Sequence, residues 1–122
     1  MQLVLILLLF FFQQKAETEV ISIQQFEELM ADGNVQILDV RTPGEWEGGW
    51  IKGANKINIH DDTFLKEVSK LEKDVPLVIY CAVGGRSAMA TQQLSTAGFS
   101  KIYDYKGGFR EWRALNKPIE KN

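Results

Sequence analysis

The sequence predicts an α/β domain built on a mostly parallel sheet, and three observations carry that prediction. From about Glu19 onward, short β-branched runs alternate with stretches of helical periodicity. The apolar run Pro76-Leu77-Val78-Ile79-Tyr80 ends at Cys81, the only cysteine, followed by Ala82-Val83-Gly84-Gly85-Arg86-Ser87 and a helical pattern. A chain of 122 residues, 45% hydrophobic and 25% charged, can bury one modest core and leaves little room for a second.

Taken in order, Val20-Ile21-Ser22 is expected to form a short first strand. Ser22 with Gln25 fits a capping box and Ile21 with Phe26 its hydrophobic staple, so a helix should start there. Phe26, Leu29 and Met30 would be its buried face, and Gly33 suits a left-handed C-terminal cap. Val35 to Val40 reads as the second strand, followed by the turn Thr42-Pro43-Gly44 and a short helix around Glu45 and Trp46. Lys56-Ile57-Asn58-Ile59 reads as the third. Asp61 or Asp62 would cap a helix with Phe64, Leu65, Val68 and Leu71 on one face. The fourth strand delivers Cys81. Ala88, Ala90, Leu94 and Ala97 follow at helical spacing with Gly98 as the stop, Lys101 to Tyr105 makes a fifth strand, and Gly107-Gly108 opens a last helix carrying Phe109 and Trp112.

Ahead of this pattern, Leu3 to Phe12 contains no polar residue. The run is short for a bilayer span and suits the apolar part of a signal peptide, with cleavage after Ala16 and an uncleaved membrane anchor as the competitor. The expected organisation is a leader over 1–16 and a domain over 19–120, exported to a periplasmic or extracellular space, with membrane contact only if the leader stays. One cysteine excludes an internal disulfide framework. A net charge of -2 without a basic block excludes bulk attraction to nucleic acid. The expected assembly is a monomer or weak homodimer.

A thiol at a strand end, above a glycine loop and a helix start, is a nucleophile seat. Such a loop turns several backbone N–H groups and the positive end of the following helix toward one point, lowering the thiol pKa and favouring a bound anion. Cys81 is thus the candidate nucleophile, Ala82, Val83, Gly84, Gly85 and Arg86 the candidate anion cradle, and Arg86 is expected to aim its guanidinium at the same point. Ser87 reads as an N-cap more than a catalyst. Asp39 and Arg41 end the second strand, either as turn formers or as supports of the site; an ion pair from Arg41 to Glu45 is one option. In an open α/β sheet the carboxyl ends of the strands form the ligand crevice, which would gather Asp39, Cys81 and Tyr105 to Gly108 around one pocket. His60, the single histidine, reads as a surface residue, and no metal site is expected.

Four segments together, Leu38-Asp39-Val40-Arg41-Thr42-Pro43-Gly44-Glu45-Trp46, Gly49-Trp50-Ile51-Lys52-Gly53-Ala54, Tyr80 to Ser87 and Lys106-Gly107-Gly108-Phe109-Arg110-Glu111-Trp112, resemble the single-domain rhodanese family of sulfurtransferases. The resemblance implies a five-stranded parallel sheet flanked by helices on both faces. It also implies a Cys81 persulfide loaded from a small anionic sulfur donor, thiosulfate or polysulfide, and discharged to a thiol or cyanide, with no cofactor. Related cell-cycle and tyrosine phosphatases have five residues between cysteine and arginine; here four separate Cys81 from Arg86, which favours a sulfur-sized cradle over a phosphatase or arsenate reductase. Many thiosulfate-using members carry a basic residue after the cysteine, where this chain has Ala82. The family's common Gly-His-Ile is Gly49-Trp50-Ile51 here, an exchange expected to bear on surface packing. The alternative within the same fold is a non-catalytic module that binds sulfide species or a protein partner.

Overall fold

The computed structural model describes residues 15–122. The expected leader falls almost wholly on residues 1–14, outside the described residues, and among the described residues no helix is long and apolar enough to cross a membrane. Twelve elements follow one another: β1 (Glu17–Ile21), α1 (Ile23–Asp32), β2 (Gln36–Asp39), α2 (Pro43–Trp46), β3 (Trp50–Ile51), β4 (Asn55–Lys56), α3 (Phe64–Val68), β5 (Leu77–Tyr80), α4 (Gly85–Leu94), β6 (Lys101–Tyr105), α5 (Gly108–Ala114) and β7 (Ile119–Glu120).

Five strands form one parallel sheet in the order β1-β6-β5-β2-β4. Central β5 is buried along its whole length, as a strand covered on both faces must be. Alternation along the strands divides the core in two. On one face Leu38, Leu77, Ile79, Cys81 and Ile102 pack under α3 and α4. On the other, Ile37, Val78, Tyr80 and Tyr105 pack under α1 and α5, where Phe26 meets the Tyr105 and Trp112 rings at 5.0 and 5.4 Å.

Local signals set the helix starts. Both bonds of the Ser22–Gln25 capping box are present, and Gly33 closes α1 at φ 79. A second box, Thr42 with Glu45, starts α2 behind Pro43.

Four expectations are corrected. The first strand runs from Glu17 to Ile21, because it is a sheet edge whose residues are mostly exposed and carry no apolar signal. The third strand is Asn55–Lys56 alone. Beyond it the Ile57 and Ile59 N–H groups still donate to Asp39 O and Val40 O, but Asn58 accepts from the His60 N–H and turns the chain away. Leu65 is 55% exposed while Phe64 and Val68 are buried, since α3 is only five residues long; Thr63 precedes it, and neither Asp61 nor Asp62 caps it with a side chain. Ala88 lies on the outer face of α4.

The antiparallel pair β3–β7 was not expected. Trp50 is buried, lies under the Lys56 ammonium at 3.3 Å and donates from Nε1 to Glu120, so the Trp50 exchange serves to fasten the C-terminal segment rather than the surface. At the other end, Ala16 belongs to the core and its N–H donates to Ser95 O at 2.7 Å.

Candidate functional site

β5 ends at Tyr80, so Cys81 leaves the middle of the sheet just where α4 begins. Between them the chain turns through Gly84 at φ 105, a conformation side chains resist, and a Cβ there would stand 2.9 Å from the Lys106 carbonyl oxygen. This turn lets the Gly84 N–H donate to Cys81 Sγ at 3.0 Å, with the N–H groups of Val83 and Ser87 close enough to favour charge on the sulfur. A loop that turns its N–H groups inward must turn carbonyls outward, and α5 receives them. The Phe109 N–H donates to Cys81 O at 2.8 Å and the Arg110 N–H to Ala82 O at 3.2 Å. Gly108, at φ 69, permits this docking, because a Cβ would lie 2.7 Å from Cys81 O.

Burial opposes ionisation of the Cys81 thiol, but the Ser87 N–H and hydroxyl, with the Gly84 and Val83 N–H groups, outweigh it and hold the thiol below its ordinary pKa. The start of α4 adds its positive end. The residue is fully buried, so the sulfur is recessed, while Val83 is 62% exposed on the loop.

Arg86 departs from the expected arrangement. Its guanidinium forms two bonds with Glu45, Nη1 to Oε1 at 2.5 Å and Nη2 to Oε2 at 2.8 Å, and does not converge on the cradle. That pair, working against the cost of burial, holds the Glu45 carboxyl down at about 2. Arg86 remains near enough to Cys81 for the two charges to interact. The alternative pairing of Glu45 with Arg41 does not occur.

Arg41 instead lies flat against Asp39. Nε bonds both carboxylate oxygens at 3.1 Å and Nη2 bonds Oδ2 at 2.8 Å, while Nη2 also donates to Gly49 O at 2.7 Å. The Tyr80 hydroxyl donates to Asp39 Oδ2 at 2.5 Å and accepts from the Ile51 N–H at 2.9 Å. The Phe109 ring covers the guanidinium at 4.1 Å. Asp39 and Arg41 are buried, and Tyr105 is closed into the same face of the core, so none of the three lines an open pocket with Cys81. The strand ends do converge, but alternation sends Asp39 and Tyr105 to the face opposite Cys81.

Ser87 is not the N-cap, which is Gly84; it lies buried in the first turn of α4 and its hydroxyl donates to Gly84 O at 3.2 Å. Ala82 and Gly85 complete the loop without touching the sulfur through side-chain chemistry. His60 is exposed, and among the described residues no group of ligands could hold a metal ion. Neither the pairing of Glu45 with Arg86 nor the burial of Asp104 beside the site was expected. Glu45 stands 41 residues from Arg86, a separation that no local spacing signals. Asp104 is buried on the Cys81 face of β6, and its i+2 relation to buried Ile102 was the available signal.

Comparison with known proteins agrees with this geometry. The family profile described as Rhodanese-like domain matches residues 22–115. The chain is 34% identical over 99 residues to the thiosulfate sulfurtransferase GlpE of Ectopseudomonas mendocina, covering 81% of this chain and 88% of that one. It is 39% identical over 77 residues to the uncharacterized protein YqhL of Bacillus subtilis, covering 63% of this chain and only 60% of YqhL. A crystal structure of a rhodanese-related protein from Thermoplasma volcanium superposes with a TM-score of 0.70 at 29% identity, over 85% of this chain and 99% of that one.

Proposed function

The chain belongs to the rhodanese-like domain family, and from that premise we propose that it is a sulfurtransferase using Cys81 as its sulfur carrier. The observation that carries this reading is the Gly84 N–H directed at Sγ at 3.0 Å, within a loop whose thiol is held below its ordinary pKa. In the loading step the thiolate forms an S–S bond to the outer sulfur of thiosulfate or to a sulfur of a polysulfide. The donor's own S–S bond breaks, and its electron pair leaves on sulfite or on the shortened polysulfide. The charge that began on Sγ ends on the outer sulfur of the persulfide. A thiol or cyanide then attacks that outer sulfur, and the Cys81 thiolate departs.

Ala82 carries no charge and Arg86 is held by Glu45, so in this reading backbone N–H groups and the α4 terminus recognise the anion. The Asp39–Arg41–Tyr80 cluster supports the site from behind, fixing the strand end that precedes Cys81. We also propose export through a leader over residues 1–16, tested by the N-terminal sequence of the protein from the secreted fraction; an intact Met1 there overturns cleavage.

Intact mass after incubation with thiosulfate, then with cyanide, tests the central reading. Wild type should gain one sulfur atom and lose it again, and Cys81→Ser should gain none. Persulfide that forms but never discharges would point to a binding module, and Cys81-dependent release of phosphate from an aryl phosphate to a hydrolase.

A further inference from the structure

Among the described residues the sheet buries two carboxyls, and only one is answered. Asp39 is bonded by Arg41 and by the Tyr80 hydroxyl. Asp104 is only 5% exposed, and its Oδ1 has no hydrogen-bond partner. It holds a core position of β6, in register with Val20 of β1 and Ile79 of β5, and neither of those side chains can pair with a carboxyl. Asp104 instead lines a cavity of about 460 Å³ between β1 and α4, a volume within the ~300–1,000 Å³ of small-molecule sites. On α4, Ala88, Thr91, Gln92 and Ser95 follow at i, i+3, i+4 and i+7, so one helix side meets the cavity, and three of the four side chains are short. Val20, on the opposite wall, is 61% exposed, which leaves the site open at the sheet edge.

The lining calls for a donor. The Thr91 and Ser95 hydroxyl hydrogens are committed to Ser87 O and Gln92 O, which leaves their oxygens as acceptors, and Gln92 can serve in either role. Glu19 on the wall is paired with Lys101. The nearby cations, Lys15 on the wall and Lys106 two residues along the chain, do not bond Asp104 Oδ1. Ala16, Val20 and Ala88 supply apolar surface. We propose that this cavity binds a small organic cation, a primary alkylammonium, with its N–H groups on the Asp104 carboxylate and its alkyl stem along Ala16, Val20 and Ala88. An ammonium brings three donors and a positive charge, so it both satisfies Oδ1 and offsets the cost of burying a carboxylate, where water supplies donors alone.

The test is titration of the full chain with n-hexylammonium, followed by calorimetry and by the 13C resonance of the Asp104 carboxyl. Binding should saturate at one amine per chain and shift that resonance. n-Hexanol, which has the stem without the charge, should bind about tenfold more weakly or worse. Asp104→Asn should weaken hexylammonium binding by about tenfold or more. Ala88→Leu adds bulk to the cavity wall and keeps the carboxyl; it should also weaken binding, and it decides the matter if the Asn variant does not fold. No saturable binding, equal binding of hexanol, or full affinity in either variant overturns the proposal. Binding that appears only in Lys15→Met also overturns it, since Lys15 would then be the carboxyl's own partner. Neither Cys81 nor a sulfur donor takes part, so these outcomes stand apart from success or failure of sulfur transfer.

Discussion

Two polar clusters lie at the carboxyl ends of neighbouring strands and solve opposite problems. On the β2 side, Asp39 and Arg41 are a fully matched ion pair, closed over by Tyr80, Gly49 and the Phe109 ring. On the β5 side, Cys81 faces backbone N–H groups, with no side-chain cation bonded to it. A charge held by a complementary charge is stable and inert. A charge held by fixed dipoles is stabilised without a fixed counterion, which leaves it free to react. The fold therefore places its strongest side-chain pairing beside the nucleophile rather than on it, and even Arg86 is turned to Glu45.

The comparison predicts that damage to the two clusters separates. Short of replacing Cys81 itself, the largest loss of activity should come from Gly108→Ala, whose Cβ would press on the Cys81 and Ala82 carbonyls and displace the loop. Sulfur transfer per folded molecule should fall by about 100-fold, read by steady-state kinetics beside a thermal melt. Next, Arg41→Met leaves Asp39 buried and uncompensated and should cost about 3–5 kcal/mol in urea unfolding. The molecules that remain folded should alkylate at Cys81 with a pH profile close to wild type; a shifted profile would join the two clusters into one.

A smaller effect is expected from Glu45→Gln, since the Glu45–Arg86 pair is partly solvated. Glu45 has a folded pKa of about 2, below its ordinary value, so its stabilisation is present above about pH 4.5 and is lost as pH falls through about 2. The variant should lack that part of the acid loss in a comparison of urea midpoints from pH 6 to pH 2. The smallest effect sharpens the boundary of the domain. A chain beginning at Glu17 gives up the Ala16 N–H bond to Ser95 and should be less stable than one beginning at Lys15 by about 1 kcal/mol.

What could be read from the residues follows the physics of burial. β5 and β6 were legible because central strands show continuous or alternating apolar runs, and α1 because Ser22, Gln25 and Gly33 act within a few residues of one another. β1 was drawn short because an edge strand needs few buried residues, and β3 with β7 was missed because Trp50 meets Glu120 only after the chain has returned. At the site, Cys81 and its glycine turn were visible in one continuous segment. The Arg86–Glu45 pair and the opposite facing of Asp39 were not, because they depend on register between β2 and β5 and on a helix begun by its own capping box.

The recess around Cys81 bears on how copies of this protein meet under oxidising conditions. A disulfide needs its two sulfur atoms about 2 Å apart with the α-carbons within about 7 Å. Cys81 is fully buried, with Phe109 and Arg110 tied to its loop, and two folded copies cannot approach that closely. The lone thiol is thereby protected against pairing with its own kind by the same loop that prepares it for sulfur.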